Sequence, residues 1–180
     1  MGVAQGCPLS VYLFSIFVDS LLQKINEEKL GASFSNSERI DCLAFADDII
    51  ATAENKNDLQ KILEIVHTWC KDWRMTASAN KKQSSKSAVM PVNAGPLFGQ
   101  TLLKLGTREL PMVDNYKYLG VTFDGELTFD LHRANVNHKS NFKNKLISSI
   151  VSDMFLSRDL KVQVHEALVN SAVLYGMETW

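Results

Sequence analysis

A chain of 180 residues, 46% apolar and 22% charged, is long enough for one sizeable domain, or one domain plus a helical appendage, with the balance of an ordinary globular protein. Three widely spaced cysteines without a CxxC pair (Cys7, Cys42, Cys70) argue against a disulfide framework or a zinc site and fit buried, reduced thiols of an intracellular protein. Ser10, Ser15, Asp19 and Ser20 interrupt the longest apolar run, Leu9 to Leu22, so no membrane span is expected, and with no positively charged region ahead of it no signal peptide is expected either. The net charge is −1 but unevenly spread: ten acids and five bases from Asp19 to Glu64, five bases and one acid from Lys71 to Lys86, and four bases without an acid from Leu131 to Ser152. An acidic centre followed by basic stretches suits metal ions beside a polyanion, although solvated helix faces produce similar patterns.

In chain order, Leu13 to Leu30 reads as a helix with Phe14, Phe17, Val18, Leu21, Leu22 and Ile25 on one stripe and Gly31 as its cap. Ile40 to Ala53 reads as a hairpin. A second helix is expected from Asn57, with Gln60 in capping-box spacing and Leu59, Ile62, Leu63, Val66, Trp69 and Trp73 on its apolar face. Two helices on one face of an antiparallel sheet follow from this order. Thr76 to Ser87 is a polar loop, Val89 to Val92 a short strand, Asn93 to Pro96 a turn, and Leu97 to Leu110 a hairpin through Gly106. Tyr116 to Phe123 alternates as a single strand before an Asp124-Gly125 turn. Helices then run from Leu131 to Phe155 and from Ser157 to Tyr175.

The hairpin carries the chemistry. Phe45-Ala46-Asp47-Asp48 sets two adjacent carboxylates between apolar runs, where like charges repel unless a cation joins them. Mg²⁺ takes one or two carboxylates plus substrate phosphates, the arrangement used in two-metal phosphoryl transfer. Taken alone, the tetrapeptide is better accounted for as a solvated turn.

Taken in order, Gly2-Val3-Ala4-Gln5-Gly6-Cys7-Pro8-Leu9-Ser10, Phe45-Ala46-Asp47-Asp48, Trp69-Cys70-Lys71-Asp72-Trp73, Tyr116-Lys117-Tyr118-Leu119-Gly120-Val121 and Leu174-Tyr175-Gly176-Met177-Glu178-Thr179-Trp180 resemble the reverse transcriptase of non-LTR (LINE-type) retrotransposons. The resemblance implies an α+β fold: an antiparallel palm sheet with helices packed on one face over residues 1–127, then a helical thumb and connection segment over 128–180. It implies RNA-directed DNA synthesis from dNTPs on an RNA template and DNA primer. Mg²⁺, or Mn²⁺, would be held by Asp47 and Asp48, would activate the primer 3′ hydroxyl and would stabilise the leaving pyrophosphate. Gln5 and Gly6 would contact the incoming nucleotide and template, and Tyr118, Leu119 and Gly120 the primer end. Arg133, Lys139, Lys143 and Lys145 would contact the nucleic-acid backbone, which positions a duplex without reading its sequence.

Three departures temper the resemblance. The family's third catalytic aspartate precedes the Gln5-Gly6 loop, and this chain begins at that loop, so the fingers and first palm strand are expected to be missing. Asp41 does not replace it, being roughly 20 Å from Asp47 along an extended strand, and Asp19 falls on the solvent side of its helix. Val11 stands where the family has proline, and Asn80, Lys81 and Lys86 remain equal candidates for a lysine-bearing motif. The reading is therefore part of a polymerase, cut from a longer protein or a decayed copy and inactive alone. The alternative is a non-catalytic remnant that binds RNA or RNA–DNA hybrid. Whether the chain acts in nucleus or cytoplasm is not legible.

Overall fold

The computed structural model describes residues 4, 6–34, 38–78, 86–93 and 102–180. They form helices and four separate two-stranded antiparallel sheets, distributed over two compact units. The first comprises residues 1–89 and 96–112 and the second residues 90–95 and 113–180. Among the described residues the strands form these independent pairs and not the single antiparallel sheet expected.

The first unit is built on α1 (Pro8–Glu28) and α2 (Lys56–Asp72). Pro8 opens α1, where a missing N–H costs nothing. The helix starts five residues before the expected Leu13 and ends at Lys29, whose left-handed backbone (φ 54°) supplies the cap assigned to Gly31. Gly31 serves differently. A Cβ there would overlap the Ile40 carbonyl and the Asp41 backbone, so glycine permits the close crossing of the two segments.

Val18, Leu21 and Ile25 are the buried stripe of α1, and Leu21 and Ile25 cluster with Ile62 and Trp69 of α2. Phe17 adds ring contacts at 4.8 Å to Trp69 and 5.0 Å to Trp73, and Trp69 Nε1 donates to Ser20 Oγ at 3.0 Å. The N-terminal half of α1 leaves Leu9, Val11, Tyr12, Leu13 and Ile16 exposed. By length and a mean hydropathy of 1.2 this helix is long and apolar enough to cross a membrane, which the interrupting polar residues had argued against. Leu21 and Ile25 of the same helix pack against α2.

Between the helices lie β1 (Ala32–Ser33) paired with β2 (Arg39–Ile40), and β3 (Cys42–Phe45) paired with β4 (Asp48–Ala51). The cap of α2 is Asn55, not Asn57: its side chain accepts the Asp58 N–H at 3.0 Å. Gln60 closes no capping box. Its amide exchanges two 2.9 Å hydrogen bonds with the Lys104 backbone and so acts as a strand partner for β5 (Lys104–Leu105). That strand pairs with β6 (Arg108–Glu109) around Gly106, within the expected hairpin. Leu59 and Leu63 of α2 cover a second cluster of Val89, Leu103 and Leu110. Val89 makes a single bridge to Met112 in place of a four-residue strand. The Asn93–Pro96 turn is largely outside the described residues.

In the second unit the expected single strand over Tyr116–Phe123 folds back on itself. β7 (Asn115–Tyr118) pairs with β8 (Val121–Asp124) in register Tyr118↔Val121, leaving Leu119 and Gly120 as the turn. Alternation continues through such a turn, so pattern alone reads one strand. Helix α3 (Asp130–Ser152) lays His132, Val136 and Ile147 inward. Helix α4 (Arg158–His165), capped by Ser157, runs through a π turn at Glu166–Asn170 into α5 (Ser171–Val173). The main segment of the second unit is Val113–Trp180, so the β7–β8 pair groups with the helices that follow it.

The cysteines are all free; Cys42 and Cys70 are half-buried, and burial raises both thiol pKa values. Cys7, expected inside, is exposed at the start of α1.

Candidate functional site

The β3–β4 hairpin has the register Cys42↔Ala51, Leu43↔Ile50, Ala44↔Ile49 and Phe45↔Asp48. Only Ala46 and Asp47 remain as the turn. Ala46 adopts φ 55°, the positive-φ geometry whose twist matches a two-residue hairpin. Because side chains alternate across a strand, Cys42, Ile49 and Ala51 pack into the α1–α2 cluster. Asp48 therefore shares the opposite face with Leu43, Phe45 and Ile50. Phe45 is 65% and Leu43 53% exposed on that face, and both Asp47 and Asp48 are exposed. The hairpin thus presents one carboxylate at its tip and one beside an uncovered apolar strip.

Two carboxylates suffice as the protein's share of a Mg²⁺ shell completed by substrate phosphates and water. Among the described residues no cluster of three or more His, Cys, Asp or Glu side chains exists, so Asp47 and Asp48 have no third protein ligand there. The two acids weighed as substitutes are engaged elsewhere. Asp41 is buried and accepts the Gly31 N–H at 2.6 Å. Asp19 is exposed on α1 and accepts Gln23 Nε2 at 2.7 Å.

Of the expected nucleotide-contacting pair, Gln5 lies outside the described residues, as do Asn80 and Lys81. Gly6 is exposed with φ +83°, and a Cβ there would meet nothing within 4 Å. Its glycine character follows from its backbone angle, which side-chain-bearing residues rarely adopt. Lys86 is described and exposed. Two shallow grooves of this unit, one lined by Gln60, Glu64, His67 and Lys104 and one by Lys24, Glu28, Lys61 and Ile65, contain none of the candidate residues.

In the second unit Tyr118 ends β7, and Leu119 and Gly120 form the turn; the primer-end candidates therefore occupy a hairpin tip instead of a strand interior. On α3, Arg133 is tied to Asp130 at 2.5 Å and to the Thr128 carbonyl at 2.9 Å. Lys139 and Lys143 share a helix face, with Lys143 half-buried and Lys139 exposed. Lys145, also exposed, lies roughly 240° around the helix from Lys139. The four bases do not form one stripe.

Two further residues order this unit: Asp124, legible in the sequence only as a turn residue, and His132, which no motif singles out. Asp124 ends β8 and accepts the Thr128 and Glu126 N–H groups on Oδ1 (3.0 and 3.1 Å), and the Thr128 hydroxyl and Phe129 N–H on Oδ2 (both 3.1 Å). These bonds, led by that from the Thr128 backbone, hold its carboxyl below the usual range. They also set the entry to α3, where Phe129 is left-handed. His132 is buried, and its Nδ1 accepts the Thr122 N–H at 3.1 Å. That bond requires the neutral ring. Burial lowers its pKa, with smaller contributions from Lys139 and Lys117.

Helices and small antiparallel strand pairs, with exposed paired carboxylates on one hairpin and a basic helix in the other unit, are compatible with part of a nucleic-acid polymerase. The chain belongs to the reverse transcriptase (RNA-dependent DNA polymerase) family, whose sequence model matches residues 1–123. It is 32% identical over 124 residues to a Retrovirus-related Pol polyprotein from the type-1 retrotransposable element R2 of Popillia japonica, covering 68% of this chain and 20% of that protein. Against the RNA-directed DNA polymerase from the mobile element jockey of Drosophila melanogaster it is 25% identical over 186 residues, covering 99% of this chain and 19% of that protein. The R2DM Pol polyprotein of Drosophila melanogaster aligns at 31% over 130 residues, covering 68% of this chain and 12% of that protein. The chain spans a fifth or less of the length of these relatives, which are products of non-LTR retrotransposons, as the ordered motifs implied.

Proposed function

We propose that the chain is a palm and thumb portion of an RNA-directed DNA polymerase, with residues 1–127 palm and 128–180 thumb and connection. The observation that carries this reading is the exposed Asp47-Asp48 pair, Asp47 at the hairpin tip and Asp48 on the face turned away from the helices, inside the span matched by the family model.

In this reading Asp47 and Asp48 hold a divalent cation, Mg²⁺ or Mn²⁺, with Asp47 the more direct ligand, as the family resemblance implies. The bound ion would favour ionisation of a primer 3′ hydroxyl and neutralise charge on the departing pyrophosphate. The protein's own contribution is placement. The short turn fixes the two carboxylates relative to each other, and Leu43 and Phe45 offer an apolar strip beside them. Gln5 and Gly6 would line the approach of nucleotide and template. The Tyr118–Gly120 turn would hold the primer end, and Arg133, Lys139, Lys143 and Lys145 would contact the backbone of the hybrid. With no third acidic ligand among the described residues, the chain by itself binds the cation weakly and does not extend a primer.

Primer extension on an RNA template with Mg²⁺ or Mn²⁺ tests this. The expected result is no synthesis by this chain alone, and synthesis abolished by Asp47→Asn in any longer protein containing it. Robust synthesis by the 180-residue chain that is lost in Asp47→Asn would overturn the incompleteness; synthesis unaffected by Asp47→Asn would overturn the site. The exposed Lys139 and Lys145 favour a second reading, a remnant that binds RNA or RNA–DNA hybrid without chemistry.

A further inference from the structure

The turn joining β7 to β8 consists of two left-handed residues, Leu119 (φ 46°) and Gly120 (φ 90°). Hairpin turns with both central residues at positive φ favour Asn-Gly or Gly-Gly. Glycine takes that conformation freely, whereas a leucine is held there only where its surroundings over-determine it. The constraint on Leu119 comes from 56 residues further along the chain. Tyr175 Oη donates to the Leu119 carbonyl at 2.6 Å. Its ring passes so close to Gly120 that a Cβ there would lie 2.8 Å from Cε1.

The tyrosine is itself anchored. Trp180 Nε1 donates to the Tyr175 carbonyl at 3.2 Å. Between them the chain turns at Gly176 (φ 68°), where a Cβ would lie 3.0 Å from Val121 Cγ2. The Trp180 ring meets His132 edge-on at 5.0 Å, and His132 Nδ1 accepts the Thr122 N–H at 3.1 Å. The segment from Tyr175 to Trp180 therefore grips the hairpin from both sides: the turn through Tyr175, and β8 through Gly176 and the Trp180–His132 contact.

We infer that Tyr175 is a positioning residue for the primer end, holding the Leu119–Gly120 turn in its high-energy conformation without touching nucleic acid itself. The inference rests on the reading of Tyr118–Gly120 as the primer contact. Backbone held in a sparsely populated region is a pointer to function when other residues are arranged to hold it there, and Tyr175 is arranged in that way.

Two measurements on the full chain separate the parts of this inference. Amide hydrogen exchange follows residues 119–121 in wild type and in Tyr175→Phe, which keeps the ring and removes only the hydroxyl. Photocrosslinking uses a primer with a thio-substituted nucleotide at its 3′ end, annealed to an RNA template. In Tyr175→Phe, exchange is expected to accelerate about 3- to 10-fold, the share of one hydrogen bond. Crosslinking to residues 118–120 is expected to fall by a similar factor, with duplex affinity within about twofold of wild type. Gly120→Ala, which forces the ring aside, should reproduce both losses. Unchanged exchange in Tyr175→Phe overturns the positioning role. Faster exchange with unchanged crosslinking shows a purely structural tie and overturns the link to the primer. Absence of crosslinking in wild type overturns the primer-contact reading itself, while the exchange measurement still judges the Tyr175 tie.

Discussion

The buried Asp41 carboxylate accepts the Gly31 backbone N–H at 2.6 Å, tying the segment after α1 to the first residue before β3. This bond, with the close crossing that only glycine allows at position 31, makes Asp41 a structural acid. Asp41→Ala should cost about 1.5–3 kcal/mol, the range for losing a charged acceptor and stranding a buried N–H. Urea denaturation measures it; a change below about 0.5 kcal/mol would mean that the bond contributes nothing to folding.

Asp47 and Asp48 should behave in the opposite way. Both are exposed, so Asp47→Asn and Asp48→Asn should leave the unfolding midpoint within about 0.5 kcal/mol of wild type, as surface changes do. Each should weaken divalent-cation binding, read by luminescence of bound Tb³⁺ and its displacement by Mg²⁺. Equal Tb³⁺ binding by wild type and the double variant would remove the hairpin from consideration as a metal site.

Acid should destabilise the second unit in two stages. The folded-state pKa of His132 is lowered from its ordinary 6.5. Above that value both states are neutral, and the histidine costs nothing. As pH falls through 6.5 and then through the folded pKa, the unfolded chain takes up the proton first and stability drops. The Asp124 carboxyl is likewise lowered, from 3.8. Its stabilisation is complete above that value and is lost as pH falls through the folded pKa. Melting curves from pH 8 to pH 2 should show both limbs. His132→Gln should erase the first and Asp124→Asn the second; a first limb that survives His132→Gln would assign it to another group.

If α3 contacts a hybrid backbone, neutralising Lys139 or Lys145 should reduce the slope of log affinity against log salt by roughly one each. Asp47→Asn should leave that slope unchanged. Fluorescence anisotropy of an RNA–DNA hybrid across salt concentrations gives the slopes, and salt-independent binding would rule out a backbone contact.

Helices and the carboxylate hairpin were legible because their signals are local. The stripe of Val18, Leu21 and Ile25 recurs at helical period, and Asp47-Asp48 lies between two apolar runs. Misreadings came where one of several equally good local options, or a distant partner, decided the outcome. Asn55 outcompetes Asn57 as a cap because its side chain reaches the Asp58 N–H, while Gln60 is drawn to the Lys104 backbone. Tyr116–Phe123 reads as one strand because alternation does not register the reversal at Leu119 and Gly120.

The sequence by itself determined the family, through motifs whose order survives when each alone is weak, and with it the pair of carboxylates proposed here as the metal site. Only the tertiary structure decided which face of the hairpin Asp48 occupies, that Asp41 is committed to Gly31, and that Tyr175 reaches back to hold the Leu119–Gly120 turn. The physical reason is range. Periodicity and turn chemistry are written over a few adjacent residues, whereas a buried hydrogen bond or a close crossing exists only once segments 10 to 56 residues apart have packed together.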